Sequence, residues 1–245
     1  MRGGIVGVPI PSAEVKLESC PEINDRTGMP YLVTDRQDIE GNPISGRGEI
    51  LAKGYNVAFG YYMMPEKTEE DGLGDGNWFH SGDIGQFMSD GSIRIVDRKK
   101  NLVKLKGGEY IAIESMEGAY GNSKFVDAVS GGICCYGDGE MDRPIALMQL
   151  NKATTMKWAE ANGIKGGFEE VMKSKEVYGA VMADLLNEGK KGGLSHLEKI
   201  VAVALLTEHW TPENGCLTAV NKVQRKAVIT VFQKEFEETM KKGIF

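Results

Sequence analysis

Residues 95–110 read IVDRKKNLVKLKGGEY, and this stretch decides how the chain is divided. Before it, residues 1–96 are short alternating runs joined by glycine turns, the period-2 pattern of half-buried strands. IVGVPIPSAEVKLES alternates apolar and polar residues, and GEILAKG is a strand bounded by glycines. MSDGSIRIVD predicts a hairpin with Asp90-Gly91 as its turn and Ile93 and Ile95 on one face. MPEKTEEDG predicts a short helical turn with Pro65 near its start. Beyond residue 100 the period lengthens. Helical spacing links Phe168, Val171, Met172, Lys175, Tyr178, Met182, Leu185 and Leu186, and again Val228, Val231, Phe232, Phe236 and Met240. Strand-like pieces at 127–136, 143–150 and 200–207 lie between the helical stretches. The expected fold class is therefore α+β. A β-rich, barrel-like subdomain over 1–97 is followed by a small α+β domain over 98–245, with the boundary at 97–100.

The 245 residues, 41% of them apolar, are enough to bury a core in one or two domains. With 29 basic and 35 acidic residues the net charge is −6, which argues against bulk nucleic-acid binding. A local basic strip such as Arg98, Lys99, Lys100, Lys104 and Lys106 still suits a nucleotide, because only a few phosphates need neutralising. The opening MRGGIVGVPIPSAEVKL lacks the apolar run of a signal peptide, and the longest such run, 200–206, falls well short of the roughly 20 residues of a spanning helix. A soluble chain is expected, with any membrane association residing in sequence outside it. Cys20, Cys134, Cys135 and Cys216 show neither metal nor disulfide spacing. The adjacent pair in GGICCYG is expected as reduced thiols buried in a strand, implying an intracellular compartment, cytoplasmic or peripheral to an organelle membrane. His80, His196 and His209 are scattered, so no metal site is expected in this chain.

Three stretches carry candidate chemistry. In WFHSGDIG, Asp83 is expected on a glycine-flanked loop. There it either satisfies loop amides or accepts charge-assisted hydrogen bonds from adjacent ribose hydroxyls. In the opening stretch, Arg98 follows a strand end, where its planar fork suits phosphate or ribose oxygens, while Gly107-Gly108 lets backbone amides approach a ligand. A solvated basic turn explains the same residues. In PENGCLTAVNKVQRKAV, Lys222 lies on a loop before the final helix, where an isolated lysine is ordinarily just hydrated.

Taken in order, GEILAKGYNVAFGYYMMPEKTEE, WFHSGDIG, IRIVDRKKNLVKLKGGEYIAIESME and LTAVNKVQRK resemble four successive segments of the adenylate-forming, acyl-activating superfamily. The form DRKKNLVKLKGGEYIA is most similar to eukaryotic long-chain fatty acyl-CoA synthetases. The resemblance implies an ATP-dependent long-chain fatty acid–CoA ligase that makes acyl-adenylate and then the CoA thioester. Its implied partners are a long-chain fatty acid, ATP and CoA, with no nucleic acid. It implies that Asp83 and Arg98 hold the ATP ribose and that Lys222 is the adenylation lysine. Asp97 and Lys100 would form the hinge about which a mobile C-terminal domain turns. Lys104, Gly107, Gly108 and Glu109 would serve the thioester step. Lys99 and Lys106 keep the reading of solvated lysines.

Two departures stand out. Many members of the superfamily place glycine beside the adenylation lysine, where this chain has Asn221, a residue that tolerates unusual backbone angles. No Ser/Thr/Gly-rich phosphate loop or aromatic-Gly-x-Thr-Glu segment occurs, so the Mg²⁺ site is expected in sequence upstream of this chain. The chain is expected to be a C-terminal fragment, inactive alone. The alternatives are a ligase for another acyl or aryl acid, or a non-catalytic regulatory module that retains the fold.

Overall fold

The computed structural model describes residues 5–243 apart from 26, 75 and 129–131. The first four residues of the MRGGIVGVP stretch, and part of the strand expected over 127–136, lie outside the described residues. The chain divides into two compact units, Met1–Leu102 and Val103–Phe245.

The first unit contains β1 (Ile5–Gly7), β2 (Ala13–Glu18), β3 (Cys20–Asn24), β4 (Pro30–Tyr31), β5 (Ile44–Gly54), α1 (Pro65–Glu70), β6 (Phe79–Met88) and β7 (Ile93–Arg98), followed by a 3₁₀ turn, Lys99–Asn101. Five strands form one antiparallel sheet in the order β1-β7-β6-β5-β2, and β3 pairs with β4. The sheet is open: β1 and β2 are its edges, so the barrel-like expectation resolves into a sheet without closure. β2 alternates half-buried and exposed residues along its length, as the sequence pattern requires. It lies so close to β5 that a Cβ on Gly48 would fall 2.1 Å from the Glu18 carbonyl oxygen, which makes Gly48 necessary. The β6–β7 hairpin turns at Asp90-Gly91, with Gly91 at φ +82° and the Asp90 carboxylate accepting from the Ser92 amide and hydroxyl. Pro65 opens α1, where its missing N–H costs nothing.

The second unit begins within β8 (Leu102–Lys104), which pairs with β9 (Tyr110–Ala112). After α2 (Ile113–Tyr120) come β10 (Ile133–Tyr136), β11 (Ile145–Gln149), α3 (Lys152–Ala161), α4 (Phe168–Val171), α5 (Lys175–Lys191), β12 (Val203–Leu206), α6 (Arg225–Val231) and α7 (Gln233–Gly243). β11 is the middle strand, antiparallel to β10 and parallel to β12. Every β11 residue is buried, which explains the apolar run Ile145–Met148. The strand period sorts the sheet's side chains between two cores. Ile133, Cys135, Ala146, Met148 and Val203 join α2, α3 and α5, whereas Cys134, Leu147, Ala204 and Leu206 join Trp210, Val228 and Phe232. The unit is therefore a small sheet between helical layers. All four cysteines are free and buried, and burial pushes the Cys134 thiol up to about 12. The helical run expected through 168–186 is broken: α4 ends at Val171, and Ser174 starts α5 by accepting from the Val177 amide at 3.1 Å. No helix among the described residues is long and apolar enough to cross a membrane.

Candidate functional site

Asp83 and Arg98 meet. Asp83 lies inside β6, not on the loop the flanking glycines suggested, and Arg98 is directly opposite it at the end of β7. The Arg98 Nε donates to Asp83 Oδ1 at 3.0 Å, with the Asp83 side chain 22% and the Arg98 side chain 63% exposed. Such an open pair stabilises little by itself, so both groups stay accessible to a ligand. The ladder slips between Ile84 and Gly85, a bulge of the kind that re-aims side chains beside sites. Just before it, Gly82 at φ +71° donates its amide to Glu49, and the Ser81 hydroxyl, bonded to the Ile50 carbonyl at 2.6 Å, accepts from the Asp83 amide. Asp97 accepts from the Arg98 amide at 2.7 Å, and Lys100 is exposed on the 3₁₀ turn.

Lys99 departs from its expected solvated state. Its ammonium lies 3.2 Å from Glu49, whose side chain is 6% exposed, and 3.5 Å from Glu22. A buried carboxylate needs a cation, and the residue before Lys100 supplies it. Neither Glu49 nor this pairing has any signal in the spacing, because the partners are 50 positions apart. Lys106 lies closer to its expectation, being half-exposed and 3.8 Å from an equally open Asp142.

Glu49, Tyr61, Asp71, His80, Arg98 and Asn101 are among the residues lining a cavity of about 590 Å³. Among the described residues, one group brings metal-ligand atoms together: Glu18, Glu49 and His80. Lys99 already compensates Glu49, and a histidine beside an ammonium is poor company for Mg²⁺, which prefers oxygen ligands and its own waters. The group does not fit that ion.

In the second unit, Gly107 and Gly108 form a tight turn in which the Leu105 amide donates to the Glu109 carbonyl at 2.8 Å and Gly108 takes φ +92°. Lys104, exposed before this turn, has its ammonium 6.0 Å from the Tyr110 ring centroid. Lys222 stands at the end of another turn. Thr218 and Lys222 exchange backbone contacts: Thr218 N–H donates to the Lys222 carbonyl at 2.8 Å, and the Thr218 hydroxyl accepts from Lys222 N–H at 3.0 Å. Asn221 takes φ +58°, the left-handed conformation that asparagine accepts in place of glycine. The lysine side chain is left exposed on a fixed backbone.

Sequence reasoning missed one ionic pair behind this turn. Arg225 donates through Nη2 to Glu117 Oε1 at 2.8 Å and through Nε to the Cys135 carbonyl at 3.1 Å. Burial pushes the Glu117 carboxyl above its ordinary value, and Arg225 with the Cys135 amide only partly opposes this. The partners are separated by 108 positions, so only the fold brings them together.

No protein-family model matches the chain. It is 34% identical over 235 residues to long-chain-fatty-acid–CoA ligase 1 of Cavia porcellus, covering 96% of this chain and 31% of that protein. It is 35% identical over 240 residues to long chain acyl-CoA synthetase 8 of Arabidopsis thaliana, with the same two coverages. The chain therefore spans about 31% of the length of the curated relatives it matches. Among solved structures, the A domain of carboxylic acid reductase from Segniliparus rugosus, in complex with AMP and a co-purified carboxylic acid, superposes with a TM-score of 0.71 at 27% identity. That match covers 93% of this chain and 31% of that one. Over nearly its whole length the chain is thus similar to one third of the length of those long-chain acyl-CoA ligases and of that carboxylic acid reductase A domain. Its two units correspond to the C-terminal part of the adenylate-forming fold. The corresponding domain of Mycobacterium chelonae, at 22% identity and a TM-score of 0.72, shows the same adenylate-forming architecture.

Proposed function

We propose that this chain is the C-terminal part of an ATP-dependent long-chain fatty acid–CoA ligase. The observation that carries the reading is the Asp83–Arg98 pair, set face to face at 3.0 Å on adjacent strands within a chain similar throughout to such ligases. The Asp83 carboxylate accepts hydrogen bonds from the two ribose hydroxyls of ATP, and Arg98 holds the same sugar while neutralising the carboxylate between turnovers. In adenylation a fatty-acid carboxylate oxygen attacks the α-phosphorus, the bond to the β-phosphate bridging oxygen breaks, and pyrophosphate leaves. Lys222 meets the negative charge that builds on those oxygens. In the second step the CoA sulfur, having lost its proton, attacks the acyl carbon and AMP departs.

The segment Asp97–Lys100 is the hinge between these steps, and Lys104 with the Gly107-Gly108-Glu109 turn lines the path of the CoA arm. ATP and CoA are substrates, and magnesium is held by sequence outside this chain. Acyl-chain selection also resides there. The test is pyrophosphate release with fatty acid, ATP, Mg²⁺ and CoA in a full-length synthetase carrying this chain. Lys222→Ala is expected to lower adenylation by about 100-fold or more, the scale of losing one charge-stabilising group. Undiminished adenylation would remove Lys222 from the mechanism. The 245-residue chain by itself is expected to show no turnover. A second reading, activation of a different carboxylic acid, is favoured by the 27%-identical reductase domain, and comparing fatty with aryl acids in the same assay separates the two.

A further inference from the structure

We infer that Arg225 is the positioning residue for Lys222, clamping the lysine turn to the core through Glu117 and the Cys135 carbonyl. The inference rests on the role proposed above for Lys222. A long exposed lysine loses much side-chain entropy when it must point at one phosphate, so its backbone needs to be fixed beforehand. The turn is anchored in the core on its N-terminal side. Cys216 and Leu217 are buried in the core beneath α6, and the Gln224 amide donates to the Cys216 carbonyl at 2.8 Å. Leu217 also bridges to Val223.

On the C-terminal side the usual device is absent. Gln224, the residue preceding α6, makes no side-chain capping bond, and α6 is only seven residues long. Arg225, the first residue of that helix, supplies the anchor. Its fork reaches two elements at once, Glu117 on α2 and Cys135 on β10, and Glu117 in turn accepts from the Cys135 amide at 2.9 Å. The guanidinium, one carboxylate and the backbone N–H and C=O of one residue thus close a ring. Arginine offers a rigid planar fork for this, whereas lysine is a point charge on a flexible stem. Three residues upstream, Lys222 inherits that fixed point, and Asn221 in the left-handed region turns it outward.

A merely structural ion pair predicts something different from a positioning one, and amide hydrogen exchange on the 245-residue chain separates them. Arg225→Ala is expected to speed exchange at 218–224 by about 10-fold or more while β11 and α5 stay protected. Unchanged exchange at 218–224, or acceleration spread equally over the unit, overturns the inference. If Arg225→Ala does not fold, Arg225→Lys serves, with a smaller effect expected at the same amides only. In a full-length synthetase carrying this chain, Arg225→Lys should lower kcat for adenylation by about 10-fold. The KM for ATP, and thioester formation from supplied acyl-adenylate, should stay within about two-fold. A proportional fall in both half-reactions, or in neither, overturns it. Lys222→Ala run alongside keeps the two readings apart. If that change leaves adenylation intact, the role of Lys222 fails, whereas the exchange data still decide whether Arg225 holds the turn.

Discussion

In the first unit, Arg47 sits within an interior strand of the sheet, with Asp25 at 2.5 Å and Asp35 at 2.6 Å. The middle strand of the second unit, β11, presents Ile145, Ala146, Leu147 and Met148, and its two faces feed two apolar cores. One sheet is pinned by a buried ionic cluster and the other by packing on both faces. The difference follows from their surroundings. An open sheet lacks apolar layers to bury against on every face, so the segments carrying Asp25 and Asp35 are tied down through carboxylates. A sheet covered on both faces needs no such ties. Its Glu117–Arg225 pair joins α2 and α6 to the Cys135 backbone of β10.

The sharpest way to break this comparison is to remove the cation. Arg47→Ala leaves the buried Asp25 and the half-buried Asp35 without it, and a loss of about 3–5 kcal/mol is expected. The loss should appear in chemical unfolding followed by Trp78 and leave the Trp158 and Trp210 signals of the second unit in place. Equal loss in both units would show that they do not unfold separately. Leu147→Ala is the counterpart, expected to cost about 2–5 kcal/mol in the second unit alone, since Leu147 is fully buried. A loss under about 1 kcal/mol would mean that the core beneath α6 repacks around the gap.

The smallest effect expected is with pH, and its sign differs between the units. Burial pushes the Asp25 and Asp38 carboxyls up, but hydrogen bonds bring both net below their ordinary values, from Thr27 and Arg47 for Asp25 and from Asn42 for Asp38. Each therefore binds its proton more readily unfolded. Their stabilisation is present above about pH 4 and is lost as pH falls through the folded values. Glu117 runs the other way. Its raised value means that the folded state holds the proton more tightly, so its contribution is present below about pH 4 and lost as pH rises through the folded value. Acidification from about pH 6 to 3 should weaken the first unit's unfolding transition more than the second's, and Glu117→Gln should flatten the second unit's response. The reverse order of sensitivity would contradict the assignment.

Local patterns made much of this legible. The Asp90-Gly91 hairpin, the Pro65 helix, the strands at 143–150 and 200–207 and the final helical stretch all depend on residues within a few positions of one another. The helices α2 and α3 were not singled out: α2 does carry Ile113, Met116 and Tyr120 at helical spacing, whereas α3 buries Thr155 and Ala159, which give its face little apolar signal. The loop expected around Asp83 proved to be strand: Gly82 takes φ +71° within β6, and a Cβ on Gly85 would meet the Ile50 side chain.

By itself the sequence determined the α+β order and marked Asp83, Arg98 and Lys222 as candidates, since motif patterns are local. Only the tertiary structure decided that Asp83 faces Arg98, that Lys99 answers the buried Glu49, and that Arg225 reaches Glu117 across 108 positions. These pairings depend on strand register and burial, and a charge acquires its partner only after the chain has closed around it.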